Sequence, residues 1–120
     1  MELTAKRVAE FVGGDMEIQN PSENYLYRGP IESATVEGED HLKVLFKWLA
    51  KNDGGPNRPT PTWTRDEKLE YTASLTIYSV SDIDNGRICL NSFIGGETVI
   101  LFPPGGSHLD PARVTGLPAV

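Results

Sequence analysis

The dipeptide Asn85-Gly86 interrupts a run of alternating apolar residues and constrains the fold more than any other feature of this sequence. Asn-Gly is the strongest short signal for a type I′ turn, because both central residues of that turn have positive φ angles. A two-residue turn here places Asp84 opposite Arg87 and Ile83 opposite Ile88. The pattern therefore predicts an antiparallel hairpin whose core face carries Tyr71, Ala73, Leu75, Ile77, Ser81, Ile83, Ile88, Leu90 and Ile94.

A second hairpin is predicted earlier in the chain, over residues 25–52, with its turn at residues 37–40. A two-residue turn and a four-residue loop give the same pairing there, with Val36 opposite His41 and Thr35 opposite Leu42. The outer face of this hairpin is expected to carry mainly Arg28, Glu32, Lys43 and Lys47, and its core face Ile31, Leu42, Val44, Phe46 and Trp48.

Two short elements precede these hairpins. Apolar residues three and four apart predict a helix with Thr4 as a possible N-cap and Gly13-Gly14 as its stop. We expect this helix to cover the mixed outer face of the Asn85-Gly86 hairpin. Met16 and Ile18 then alternate with polar residues, which predicts a short strand.

The last third of the chain contains a candidate ligand loop at Gly95-Gly96. A phosphate-binding loop needs a lysine and a following helix, and neither is present, so these glycines predict a bend between two strands. The second of those strands covers residues 97–102. Asp110 and Pro111 then predict the start of one short helical turn.

Composition limits the class of protein. The chain has 120 residues, 38% hydrophobic and 23% charged, so we expect residues 1–120 to fold as a single small barrel-like domain. The chain is acidic, and its net charge of -6 disfavours nucleic acid as a partner. A single cysteine and the absence of a long apolar segment predict a cytoplasmic protein without membrane contact.

No group of residues in the sequence predicts catalysis, a cofactor or a metal site. Cys89 lies within a strand and lacks the glycine-rich elbow of a nucleophile, so we expect a structural thiol. His41 and His108 are isolated and lack the paired spacing of zinc ligands. We therefore assign no catalytic residue, no metal ligand and no cofactor.

The loop formed by residues 52–67 is where we expect a ligand. Loops longer than about 12 residues are uncommon in compact domains and are usually functional or disordered. Pro56 and Pro59 have the P-x-x-P spacing of segments that dock into aromatic grooves, and Trp63 either anchors the loop or closes over a ligand. Two arginines of this loop and two facing aromatic residues of the Asn85-Gly86 hairpin complete the candidate ligand-binding set: Trp63, Arg65, Arg58, Tyr78 and Phe93.

These patterns together predict a mainly β protein. We expect a short N-terminal helix and five or six antiparallel strands in a small half-open barrel of SH3-like or Sm-like type. An OB-type barrel and an α+β sheet with a packed helix are the alternatives, and all three rest on analogy between folds.

The sequence favours a non-enzymatic binding or interaction module for a peptide segment or a small molecule, because no acid, base and nucleophile converge. One alternative is a small hydrolase or isomerase that uses scattered carboxylates, such as Asp82 or Glu97, with His108. Another is a structural homo-oligomer that assembles through a sheet edge. The small size of the chain would also suit an orphan accessory protein.

Overall fold

The computed structural model describes residues 3–20, 25–52, 63–65, 72–92, 97–106 and 108–116. Within these ranges a single short α-helix, α1 (Ala5–Ala9), precedes nine strands. The strands are β1 (Asp15–Asn20), β2 (Tyr25–Glu37), β3 (His41–Phe46), β4 (Ala50–Asn52), β5 (Trp63–Arg65), β6 (Thr72–Asp82), β7 (Ile88–Ser92), β8 (Thr98–Phe102) and β9 (Val114–Thr115).

Six of the strands form a closed antiparallel barrel. Their order is β1-β8-β7-β6-β3-β2, and β2 pairs back onto β1 to complete the ring. β4, β5 and β9 extend the sheet outward from β2, with β5 and β9 parallel to each other. The predicted mainly β fold with a short N-terminal helix and a small barrel is confirmed. The barrel is closed rather than half-open, so each of the six strands pairs with a neighbour on both sides over at least part of its length.

β2 completes the barrel because it is long enough to pair with two other barrel strands. Residues 25–30 pair with β1, whereas residues 31–37 pair with β3. At the junction the backbones approach so closely that a Cβ on Gly29 would lie 2.0 Å from the Trp48 carbonyl oxygen. The Ile31 N–H donates to the Gly14 carbonyl at 2.8 Å, which also fixes the chain after α1 to this junction.

The barrel interior is filled by the alternate apolar residues of its strands and by α1. Thr4 caps α1, since its hydroxyl accepts a hydrogen bond from the Arg7 N–H at 3.1 Å. Val8 and Phe11 are buried in the same cluster as the inward side chains of the strands. The helix therefore contributes to the barrel core, in contrast to the expected position over the outer face of the second hairpin. The main inward residues of the strands are Met16, Ile18, Ile31, Leu42, Val44, Phe46, Ile77, Ile88, Leu90, Val99 and Leu101.

The Asn85-Gly86 turn has the predicted type, but the register next to it is wrong by one residue. Asn85 and Gly86 have φ angles of 59° and 75°, and the Arg87 N–H donates to the Asp84 carbonyl, as in a type I′ turn. The Ile83 N–H also donates to the Arg87 carbonyl, so Asp82 rather than Ile83 pairs with Ile88. A bulge before the turn, which absorbs one residue, explains the shift.

A second irregularity lies within β6. The shift at the turn pairs Val80 with Leu90 in place of the predicted Ser81, and a further shift between Ile77 and Ser79 pairs Ile77 with Ser92. Val80 consequently packs against the core, whereas Tyr78 is 56% exposed. The bulge lets β6 keep apolar side chains in the barrel from Ala73 to Val80.

The first hairpin is also shifted by one residue. Val36 pairs with Leu42 around a three-residue turn in which Gly38 has a φ of +65°. The predicted core face of β3 is nevertheless confirmed, because alternation along the strand does not depend on the turn length. Trp48 is the exception: β3 ends at Phe46, and Trp48 is only half-buried.

We expect Gly29→Ala to lower the free energy of unfolding by about 3 kcal/mol, because the new methyl group would collide with a backbone carbonyl that cannot move without breaking the β2 junction. Gly38→Ala is the matched control. Gly38 has open space around it, so the substitution should cost only about 1 kcal/mol for its left-handed backbone. Urea denaturation of both variants measures the difference, and equal losses would contradict the role assigned to the junction.

Candidate functional site

A buried carboxylate on the outer face of β1 joins three parts of the chain. The Asp15 side chain is 2% exposed, and its Oδ2 accepts hydrogen bonds from Arg28 Nε at 3.0 Å and from the Leu109 N–H at 2.8 Å. His108 Nδ1 lies 3.0 Å from the other carboxylate oxygen. Asp15 therefore fastens β1 both to β2 and to the segment that follows β8.

Further charged groups surround this carboxylate. The Arg28 guanidinium lies 4.0 Å from the centre of the Phe102 ring and 3.7 Å from Glu17 Oε2. Burial raises the pKa of Glu17, and the nearby charges of Arg28 and Arg87 oppose this rise. The Arg28 side chain, predicted on the outer face, does lie there but is only 12% exposed. The carboxylates and the guanidinium of this cluster form ion pairs with one another, so the cluster stabilises the fold.

A second small core lies beside the barrel and contains the tryptophan of the predicted ligand loop. Trp63 is 7% exposed and packs in one cluster with Leu26, Ala50, Leu109 and Val114. Its strand, β5, pairs with β4 on one side and with β9 on the other. Trp63 thus lies within the extension of the sheet, where it holds β5 in place.

The structure separates the other candidate ligand residues. Arg65 lies on β5, two residues after Trp63, and Tyr78 lies on the bulge of β6. Arg58 and Phe93 lie outside the described residues, as do the predicted P-x-x-P segment and the Gly95-Gly96 bend. Of the nominated residues that the structure describes, Tyr78 lines a cleft.

The groups considered for chemistry have other neighbours. Burial raises the pKa of the Cys89 thiol, which disfavours the reactive thiolate. Asp82 accepts a hydrogen bond from Arg7, and His108 is bonded to Asp15. In the described ranges, no three His, Cys, Asp or Glu side chains form a group that could hold a metal ion.

The cleft that Tyr78 lines has a volume of about 570 Å³. It lies between the start of α1 at residues 3–5, the β2–β3 turn at residues 38–40, and residues 77–80 of β6. Leu3, Val36, Ile77 and Val80 supply apolar surface, and Tyr78 stands exposed beside them. The cleft is therefore a recess of mixed polar and apolar lining with an aromatic side chain at its edge.

The rim of the cleft is acidic. Glu39 and Asp40 lie in the exposed β2–β3 turn, and neither carboxylate takes part in an ion pair with another described residue. Other carboxylates close to the cleft form ion pairs: Glu37 pairs with Lys43 at 3.0 Å, and Asp82 pairs with Arg7 at 2.5 Å. Negative charge thus remains uncompensated at the turn.

Sequence reasoning found Tyr78 but missed the rest of the cleft. One sequence signal for the cleft is the three-residue spacing between Ile77 and Val80, because a regular strand cannot place both of these residues on one face. That spacing requires a bulge, and a bulge redirects the intervening side chain. The contribution of Leu3 and of the turn residues has no local signal, because they come from distant parts of the chain.

The fold and the site define a small closed β-barrel with a helix-lined cleft beside one of its strands. Comparisons with protein-family models, with curated proteins and with solved structures found no match to this chain. In the part of the chain that the structure describes, no helix has the length and apolar character needed to cross a membrane. The function is therefore argued from the cleft itself.

We expect Trp63→Ala to destabilise the protein by about 3 to 5 kcal/mol, because it empties the centre of the second core. Trp48→Ala should cost less, about 1 to 2 kcal/mol, since Trp48 is half-buried at the edge of that cluster. This order reverses the one that alternation along β3 predicts. Chemical denaturation of the two variants measures it, and a larger loss for Trp48→Ala would contradict the assignment.

We expect Asp15→Ala to cost about 3 to 5 kcal/mol of stability, because it leaves the Arg28 charge and the Leu109 N–H without their buried acceptor. Glu37→Ala is the control. It removes an exposed carboxylate that also pairs with a base, and it should cost less than about 1 kcal/mol. Thermal and urea unfolding distinguish the two, and similar values would show that Asp15 is not a structural fastening.

Proposed function

We propose that this protein is a non-enzymatic binding module whose cleft beside Tyr78 holds a short peptide segment. The observation that carries the proposal is the exposed Tyr78 side chain at the edge of a cleft whose lining includes Leu3, Val36 and Val80. Tyrosine offers a rigid aromatic ring for apolar contact, and it is common at binding surfaces. A volume of about 570 Å³ lies within the range of ligand sites.

The lining favours a peptide over a compact polar metabolite. Leu3, Val36 and Val80 supply the apolar part of the lining, polar groups such as Thr4 and Ser79 lie between them, and the acidic groups lie at one side, in the turn. A compact polar metabolite would need several polar groups that converge on it. A peptide can place an apolar side chain in the recess while the rest of its chain extends across the rim.

The two alternatives draw less support from the geometry. A hydrolase or isomerase would need titratable groups within hydrogen-bond reach of one another and of a substrate. Asp82 is instead paired with Arg7, and His108 is bonded to the buried Asp15. Assembly through a sheet edge would use β9, which ends the described sheet and has only two residues.

We expect Tyr78→Ala to weaken peptide binding at least about fivefold, or about 1 kcal/mol, because it removes the ring at the edge of the recess. The change should alter stability by less than about 1 kcal/mol, since Tyr78 is mostly exposed. A library of blocked hexapeptides, followed by NMR titration of the isotope-labelled protein, supplies the ligands and measures their affinities.

Leu45→Ala is the matched control, because Leu45 is also an exposed large apolar residue but lies outside the cleft. The Leu45→Ala variant should bind each peptide with the same affinity as the unsubstituted protein. Binding that survives Tyr78→Ala unchanged, or signal shifts confined to residues far from the cleft, would contradict the proposed site.

A further inference from the structure

We infer that the cleft binds its peptide as an added β-strand along β6, with a basic side chain beside Glu39 and Asp40. This inference rests on the proposed function and specifies its ligand. Strand addition uses main-chain hydrogen bonds for affinity and alternate side chains for specificity.

The first support is the point where β6 loses its partner β3. β3 begins at His41, which pairs with Thr76, and the Ile77 N–H then donates to the Asp40 carbonyl at 2.8 Å. Beyond this bond, β6 continues to Asp82 and pairs among the described strands with β7 alone. On the flank that β3 occupies earlier, none of the described strands pairs with β6 beyond Ile77.

The second support is that the cleft follows this flank. It contacts residues 77–80, which are four consecutive residues of one strand. Ile77 and Val80 face the core whereas Tyr78 faces outward, so a recess that touches all of them runs along the edge of the strand. The start of α1, at residues 3–5, lies across the recess from β6. An occupant of this space would lie between the strand edge and the helix.

The ends of the cleft limit the length of the added strand. The β2–β3 turn, which contributes Gly38, Glu39 and Asp40, closes one end. At the far end of β6, Arg7 Nη2 bonds to Asp82 and connects α1 to the strand. The edge between them spans about four residues, or about 13 Å of extended chain. We therefore expect a segment of about four to five residues to be held.

Charge and surface specify the side chains of that segment. The inward side would meet apolar residues, including Leu3, Val36 and Val80. The end at the turn would meet the unmatched carboxylates of Glu39 and Asp40, in a protein with a net charge of -6. Apolar residues alternating with lysine or arginine fit both surfaces, whereas acidic residues would be repelled.

Three blocked pentapeptides test the charge requirement. They alternate valine with lysine, valine with serine, or valine with glutamate, and NMR titration of the full chain measures their affinities. We expect the lysine peptide to bind about threefold to tenfold more tightly than the serine peptide, and the glutamate peptide to bind most weakly. The double variant E39Q/D40N should remove the preference for lysine. Glu32→Gln, an exposed carboxylate outside the cleft, should keep it.

Backbone methylation tests the strand mode without altering the protein. Every second amide of an added strand faces its neighbour, so N-methyl groups on one alternate set would block the ladder and those on the other set would not. We expect one methylated lysine peptide to lose affinity at least about tenfold and its counterpart to bind within about threefold of the parent.

The outcomes separate this inference from the function on which it rests. If peptides bind with dependence on Tyr78 but both methylated peptides bind equally well, the strand mode is wrong and the binding module stands. If the glutamate peptide binds as tightly as the lysine peptide, the charge preference is wrong and the binding module stands. If no alternating peptide binds while other library peptides do, the inference is also overturned. If no peptide of any kind binds at the cleft, both proposals fail.

Discussion

The change of partner within β2 is the constraint on which the barrel depends. β2 pairs with β1 over its first six residues and with β3 over the rest, so it has to bend between the two. The bend is possible because Gly29 lets the backbone of β2 approach the backbone of Trp48. The bend closes the ring of strands and so creates a single interior for the apolar residues of all six. It also starts the sheet extension, since β4 pairs with the same part of β2.

The charged residues of the outer face divide into two groups with different physical roles. Around Asp15, carboxylates and bases are buried and matched, so their charges fasten the C-terminal segment and the second core to the barrel. At the β2–β3 turn, the carboxylates of Glu39 and Asp40 remain exposed to water. Exposed groups keep their hydration and are available to an approaching partner, whereas buried matched groups are not.

The proposed site follows from the irregularity of β6. The bulge at Tyr78 keeps Ile77 and Val80 in the core, turns the tyrosine outward, and lies where β3 stops pairing. Residues 3–5, which lead into α1, supply the opposite wall. A strand edge, an aromatic side chain and a recess thereby lie in the same place. Bulges occur frequently beside functional sites, which agrees with this arrangement.

Local sequence patterns determined the strand content, the capped helix, the type I′ turn at Asn85-Gly86 and the inward faces of β3 and β7. These features depend on neighbouring residues, so they can be predicted from the sequence. Both hairpin registers were missed by one residue, because a bulge or a three-residue turn changes the pairing without changing the apolar alternation. Tertiary structure alone decided that β2 closes the barrel, that Trp63 is buried beside Leu109, and that residues 3–5 face β6 across the cleft. Each of these contacts joins residues far apart in the chain, where packing rather than local preference selects the partner.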